Sequence, residues 1–140
     1  MSVSIIGRSL MGGKKITRII KLCARQYRKM PGTVNVIFIS PAKIQALNKK
    51  YRRKNKATTI LSFDLRTGSR QSRVDSVGEI YICLPLVRLM AKRNKDTLTE
   101  ALSRLIIHGC QHLAGFTHQT KRSADKMERA EKKLAGKLVK

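Results

Sequence analysis

Two kinds of hydrophobic spacing alternate along this chain, and their order restricts the fold. Short, β-branched segments typical of strands lie at 2–6, 33–40, 60–63 and 78–84. Segments with apolar residues at helical spacing lie at about 14–29, 41–51, 85–93, 98–114 and 121–137. This order predicts an α+β fold in which helices pack on a small mixed β-sheet. With 140 residues, the chain is expected to form one domain spanning 1–140.

Local signals support several of these boundaries. Residues 2–6 are expected at a sheet edge, and Ile80, Ile82 and Leu84 are expected on one face of the strand at 78–84. Proline follows the cap at Ser40 and opens the helix at 85. Thr97 and Glu100 have the spacing of a capping box, and Gly115 is suited to end the helix they open.

The charge of the chain is strongly positive and unevenly distributed. Lys and Arg number 31 against eight acidic residues, which gives a net charge of +23. The first 60 residues hold 15 of those cations and no acid. A basic row with helical spacing runs along the segment 14–29: Lys14, Arg18, Lys21, Arg25 and Lys29. This row fits either a solvated helix face or a surface that binds RNA phosphates, and the charge as a whole indicates a polyanionic partner.

Other compositional features limit the environment. No apolar run approaches the roughly 18–20 residues that span a bilayer, and the N-terminal segment lacks the charge order of a secretory signal. Cys23, Cys83 and Cys110 are odd in number and widely spaced, so we expect free, buried thiols in a reducing compartment. We therefore expect a cytoplasmic protein without a membrane partner.

All three histidines lie within the stretch HGCQHLAGFTH at 108–118. His108 and His112 are four residues apart on the predicted helix, so their rings project from one side. A turn at Gly115 would bring His118 back toward them. Three converging imidazoles predict one Zn²⁺ per chain, with an open fourth position as in catalytic zinc sites. Local packing roles for the histidines are the alternative. Cys110 lies about 200° around the helix from His108 and cannot join the set, whereas Cys83 could do so only through tertiary proximity.

The spacing HxxxHxxGxxH also occurs in metzincin peptidases. Those enzymes need a Glu directly after the first histidine to activate water, and this chain has Gly109 there. A glycine cannot accept a proton, which disfavours a zinc metallopeptidase.

Three motifs in order resemble those of the YbeY family of ribosomal RNA maturation factors and endoribonucleases. HGCQHLAGFTH is similar to the family's HGxLHLxGYDH, LNKKYRRKNKATTILSF at 47–63 to LNxxYRxKDKPTDVLSFP, and VGEIYIC at 77–83 to LGDIVIS. The resemblance covers about 33–135. It implies that His108, His112 and His118 are metal ligands and that Arg52 is the functionally required arginine. The chain departs from the family where Asn55, Ala57, Thr59, Asp64 and Thr117 stand. Thr117 replaces an Asp that could orient a ligand or the bound water.

Taken with the histidine cluster and the positive charge, the resemblance implies a zinc-dependent, single-strand-specific endoribonuclease that acts in ribosomal RNA maturation and small-subunit assembly, in the cytoplasm or in an organelle of bacterial descent. Arg52 is expected to clamp a phosphate, and further RNA contacts are expected from Arg53, Lys54 and Lys56 and from Lys14, Arg18, Lys21 and Arg25. The expected partners of a monomeric chain are ribosomal RNA or its precursor and a small-subunit protein. Glu79 is a weak candidate for the general base, and an RNA 2′-hydroxyl could be the nucleophile. The alternative is a non-catalytic RNA-binding assembly factor with a structural zinc.

Overall fold

The computed structural model describes residues 1–7, 12–65, 77–116 and 120–139, apart from the side chains of 135 and 137–139. The strands are β1 (Ser2–Ile6), β2 (Thr33–Phe38), β3 (Ile60–Asp64) and β4 (Val77–Ile82). The helices are α1 (Gly13–Tyr27), α2 (Pro41–Arg52), α3 (Leu84–Arg93), α4 (Leu98–Leu113) and α5 (Lys121–Val139). The α+β fold is thus confirmed. Residues 66–76, an Arg-containing segment between β3 and β4, lie outside the described residues.

The strands form one mixed sheet in the order β1-β2-β4-β3. β1 pairs in parallel with β2 and β2 with β4, whereas β3 is antiparallel to β4. Among the described strands, β1 and β3 are therefore at the two edges of the sheet, as the sequence predicts for β1. Three inter-strand spacings separate them, or about 14 Å.

Each face of the sheet has its own apolar cluster. On one face, alternate residues such as Val34, Val36, Ile80 and Ile82 are buried beneath α1 and α4. On the other face, Leu61 packs with Ile44 of α2 and with Cys83 in a smaller cluster. α5 packs against α1 and α4. The sheet thus separates α2 from α1 and α4, and a side chain's position in its strand decides which of these two sides it faces.

Most predicted boundaries agree with the structure, and one was wrong. The capping box of α4 is confirmed, because Thr97 accepts from the Glu100 N–H at 3.1 Å and Glu100 accepts from the Thr97 N–H at 3.0 Å. Gly115 has φ +91°, as a residue that ends a helix requires. Leu84, however, lies outside β4 and opens α3, because Cys83 rather than Leu84 is its N-cap. None of the described helices is long and apolar enough to cross a bilayer.

Candidate active site

The side chains of His108 and His112 converge on the surface of α4. Their Nε2 atoms are 3.0 Å apart, and the two rings stand nearly perpendicular with centroids 4.6 Å apart. Both residues are half-buried. The i,i+4 spacing on one helix produces this approach, as the sequence predicts.

This geometry fits two ligands of a single metal ion. Two imidazole nitrogens bound to one tetrahedral zinc at 2.0–2.1 Å lie about 3.3 Å apart, close to the observed separation. The third predicted ligand, His118, lies outside the described residues, as does Thr117. Among the residues that the structure describes, no third His, Cys, Asp or Glu completes a metal-binding group with the pair. The three-histidine site therefore stays a prediction, of which the first two members have suitable geometry.

Neither Cys110 nor Cys83 is placed to join His108 and His112. Cys110 is buried against Cys23 of α1, and the hydrogen bond between the thiols, with burial, raises the pKa of Cys110 well above its ordinary value. Cys83 is buried in the apolar cluster on the opposite face of the sheet. The prediction of free, buried thiols is confirmed for all three cysteines.

The contacts of the neighbouring residues show where the histidine pair faces. Gly109 lies against the sheet, since a Cβ there would be 3.0 Å from the Ser62 Oγ and 3.3 Å from the Ile80 Cδ1. Cys110, the next residue, contacts α1 on one flank of α4. At 100° per residue, His108 and His112 occupy the other flank. This flank is on the β3 side of the sheet, away from α1 and β1.

Arg52 lies at the outer edge of β3. The main-chain groups of residues 61 and 63 are hydrogen-bonded to β4, so those of Ser62, which lies between them, point outward from the edge of the sheet. The Arg52 Nη2 donates to this exposed Ser62 carbonyl at 2.7 Å, and its guanidinium carbon lies 5.1 Å from the Phe63 ring centroid. The side chain of Ser62 meanwhile contacts α4 at Gly109. Ser62 thus links Arg52 to the helix that carries the histidines, a role that the sequence did not reveal.

The basic loop after Arg52 is held by α2. Asn48, which is 3% exposed, donates to the Lys56 carbonyl at 2.9 Å, and its own carbonyl accepts from the Lys54 N–H. Gln45 donates to the Asn55 side chain at 3.2 Å. Arg53, Lys54 and Lys56 are exposed on this loop. Asn48 was not identified from the sequence. The signal that could have found it is a polar residue on the apolar side of a predicted helix, beside Ile44 and Leu47.

Two other predicted residue sets lie elsewhere. Lys14, Arg18, Lys21 and Arg25 are exposed in one row on α1 and flank β1, at the opposite edge of the sheet. Glu79 shares a face of β4 with Tyr81, whose hydroxyl donates to the Glu79 carboxylate at 3.0 Å. This is the face opposite to α4. The structure therefore groups Arg52 with the basic loop and not with the α1 row, and it separates Glu79 from the histidine pair.

The position of Gly109 bears on the peptidase alternative. A metzincin requires a glutamate at this position, and here the position is buried against Ser62, Ile60 and Ile80. A carboxylate there would be directed into the sheet rather than toward the histidine rings. Geometry thus adds to the chemical objection against peptide hydrolysis.

Comparisons with known proteins agree over nearly the whole chain. The family model described as Endoribonuclease YbeY matches residues 10–139. A protein of that name from Polynucleobacter asymbioticus is 32% identical over 127 residues, which cover 89% of this chain and 79% of the relative. One from Pseudoalteromonas translucida is 34% identical, and the alignment covers 81% of this chain and 73% of the relative. The solution structure of a Thermotoga maritima protein aligns with a TM-score of 0.60 at 26% identity, over 96% of this chain and 90% of that protein.

Proposed function

The chain belongs to the Endoribonuclease YbeY family, and on that premise we propose that it is a metal-dependent endoribonuclease. Its proposed substrate is single-stranded RNA in ribosomal RNA maturation and small-subunit assembly. The main support is that the histidine pair of α4 and the guanidinium of Arg52 are directed to the same edge of the sheet, at β3. A basic side chain and two converging ring nitrogens suit a phosphodiester substrate.

His108, His112 and His118 would hold the metal, proposed to be one zinc per chain. When bound, zinc supplies a Lewis acid that polarises a phosphoryl oxygen and makes water more acidic. The nearly perpendicular rings of His108 and His112, with their Nε2 atoms 3.0 Å apart, support this assignment. The remaining chemistry is assigned to other side chains.

Arg52 would orient the scissile phosphate and stabilise the charge that develops on it. A guanidinium has five N–H donors, and the bond to Ser62 needs only one of them. The others can make two parallel hydrogen bonds to phosphate oxygens. The Ser62 carbonyl and the Phe63 ring restrict the side chain beforehand, so less conformational entropy is lost when the substrate binds.

The neighbouring loop would provide the RNA-binding surface. Arg53, Lys54 and Lys56 are exposed beside Arg52, and none of the first 60 residues is acidic. Contacts to phosphates make affinity depend steeply on salt. The proposed partners are ribosomal RNA or its precursor and a protein of the small subunit. The chain would act as a monomer, in the cytoplasm or in an organelle of bacterial descent.

One observation favours a second candidate, a non-catalytic RNA-binding assembly factor with a structural zinc. In the described part of the chain, no carboxylate forms a group with the histidine pair, and Glu79 lies on the other face of the sheet. A nuclease would then need its proton acceptor from the undescribed residues or would use the RNA 2′-hydroxyl as nucleophile.

Cleavage by a His108→Ala variant separates the two candidates. Purified wild type and variant, matched in circular dichroism, are incubated with end-labelled single-stranded ribosomal RNA fragments and with a duplex of the same sequence. We expect wild type to cut the single strand, and the variant to bind RNA without cutting it. RNA that is bound but left intact by both proteins would establish the assembly factor instead.

A further inference from the structure

A second charged feature lies at the β1 edge of the sheet, far from Arg52. An open groove of about 770 Å³ separates β1 from α1. Val3, Ile5 and Leu22 give it an apolar floor, and Lys14, Arg18, Lys21 and Arg25 line its rim. Gly13 and Thr17 complete the described lining, and none of these described residues has an acidic or aromatic side chain.

The main chain of β1 has hydrogen-bonding groups directed outward at the open sheet edge beside this groove. The Ser2 N–H donates to the Gly32 carbonyl at 2.8 Å, so Ser2, Ser4 and Ile6 direct their main-chain groups toward β2. Val3 and Ile5 alternate with them and direct theirs outward. Within the described residues, β2 is the only strand that pairs with β1. Two N–H and two C=O groups are thus positioned to pair with an added strand.

The basic row matches the spacing of such a strand. Residues 14, 18, 21 and 25 succeed one another by about 6, 4.5 and 6 Å along the helix axis, at 1.5 Å per residue. Alternate side chains of a strand are about 6.6 Å apart, so acidic residues at every second position could pair with successive cations. The like charges in this row also repel one another at i,i+3 and i,i+4, and an acidic partner would relieve that repulsion.

Chemistry distinguishes among possible occupants. A second copy of this chain would bring its own basic row to the edge, and its net charge of +23 opposes such pairing. RNA could contact the cations, but it does not present a row of main-chain donors and acceptors to match those of Val3 and Ile5, and the described lining of the groove has no ring for base stacking. An extended acidic peptide satisfies the outward main chain, the apolar floor and the cations together.

We propose that the β1 edge is a docking site for an extended acidic segment of another protein, which joins the sheet as a fifth strand beside β1. The segment would alternate acidic side chains, facing Lys14, Arg18, Lys21 and Arg25, with small apolar ones. Because this edge is about 14 Å from β3, the segment and an RNA at Arg52 could bind at the same time.

A synthetic peptide tests this proposal directly. The probe is a capped peptide of alternating Glu and Val, measured at physiological salt against the full chain, with an analogue N-methylated at alternate amides. We expect the analogue to bind at least about tenfold more weakly, because its main chain cannot pair. Hydrogen exchange of the Val3 and Ile5 amides should become slower when the unmethylated peptide is added, and should not change when the methylated analogue is added. Equal binding of both peptides would mean simple charge attraction and would overturn the proposal.

Charge-reversal variants identify the surface. Lys21→Glu with Arg25→Glu should weaken peptide binding at least about tenfold, whereas the matched pair Lys126→Glu with Arg129→Glu, exposed on α5, should weaken it far less. A single-stranded oligoribonucleotide is measured in parallel. If the α1 pair reduces RNA affinity and leaves peptide affinity unchanged, the row is an RNA surface and the proposal fails.

Discussion

Gly109 and Ser62 are in such close contact that a Cβ added at 109 would lie 3.0 Å from the Ser62 Oγ. The contact joins α4 to β3 one residue after His108. Because the Ser62 carbonyl accepts from Arg52, one serine contacts both the histidine helix and the arginine. Small displacements at this contact should therefore alter the site as well as stability.

Gly109→Ala is expected to destabilise the fold by about 1–3 kcal/mol, the usual cost of overpacking. Besides Ser62, the new methyl group would meet Ile60 Cδ1 at 3.2 Å and Ile80 Cδ1 at 3.3 Å, so these buried side chains, or α4 itself, must give by a few tenths of an ångström. Denaturant unfolding measures the loss. Gly136→Ala on α5 is the control, because its Cβ would meet nothing within 4 Å. Equal stability of the Gly109 variant and wild type would contradict the close packing.

A double variant tests whether Ser62 is the main obstacle. Ser62→Ala removes the Oγ and retains the carbonyl that binds Arg52. We expect Gly109→Ala to cost less in the Ser62→Ala background, with coupling of about 0.5 kcal/mol or more. Additive effects would assign the contact to Ile60 and Ile80 instead.

The sequence predicted those parts of the site that depend on spacing within one element. The convergence of His108 and His112, the capping box at Thr97 and the exposed α1 row all follow from the helical repeat. Leu84 was assigned to the wrong element because alternation continues past the end of β4 and into the first turn of α3. Periodicity alone cannot mark that boundary.

Contacts between different elements could not be predicted from the spacing of residues within one element. The direction of the Ser62 carbonyl depends on the register between β3 and β4, and so does the face on which Glu79 lies. Register is set by pairing between distant segments. For that reason, the sequence left Glu79 open as a base and gave no partner for Arg52.

Arg52→Lys is expected to lower kcat by about 10²-fold while RNA affinity changes little. A lysine keeps the charge, but it cannot bond the Ser62 carbonyl and hold two phosphate oxygens in one plane. Cleavage and binding are measured separately on the same single-stranded RNA. Arg53→Lys, one residue along on the exposed loop, is the matched control and should retain near wild-type rates. Similar kcat values for both variants would argue against a bidentate role.

Thr97→Ala is expected to cost about 1 kcal/mol of folding free energy, because it removes the side-chain acceptor of the capping box. His108 and His112 lie 11 and 15 residues downstream of this box on α4, so fraying of the first turn should not reach them. Thermal unfolding compares it with Thr99→Ala, an exposed position on the same turn. A larger loss at Thr99 than at Thr97 would contradict the cap.

Glu131→Gln is expected to raise the melting temperature at pH 7. Burial is the main cause that raises the pKa of Glu131 above 4.5, and it outweighs the opposing effect of Arg104. A raised pKa in the folded state means that stability is lost as the carboxyl ionises with rising pH. The gain should therefore shrink below pH 4.5, where the glutamate is already protonated. Glu128→Gln removes a like charge that also raises the pKa of Glu131, but it loses an exposed ion pair with Lys132 and no buried charge, so its gain at pH 7 should be smaller.

Zinc is expected to raise the melting temperature of the metal-free protein, and the rise should require the histidines. A ligand that binds only the folded state at 100 times its Kd stabilises it by about 2.7 kcal/mol. His108→Ala leaves His112 without its partner 3.0 Å away, and His118→Ala tests the third predicted ligand. Both variants should lose most of the zinc-dependent rise. Magnesium serves as the control ion, since it prefers oxygen ligands. If His118→Ala keeps the full response while His108→Ala loses it, the metal is held without His118 and the three-histidine assignment is wrong.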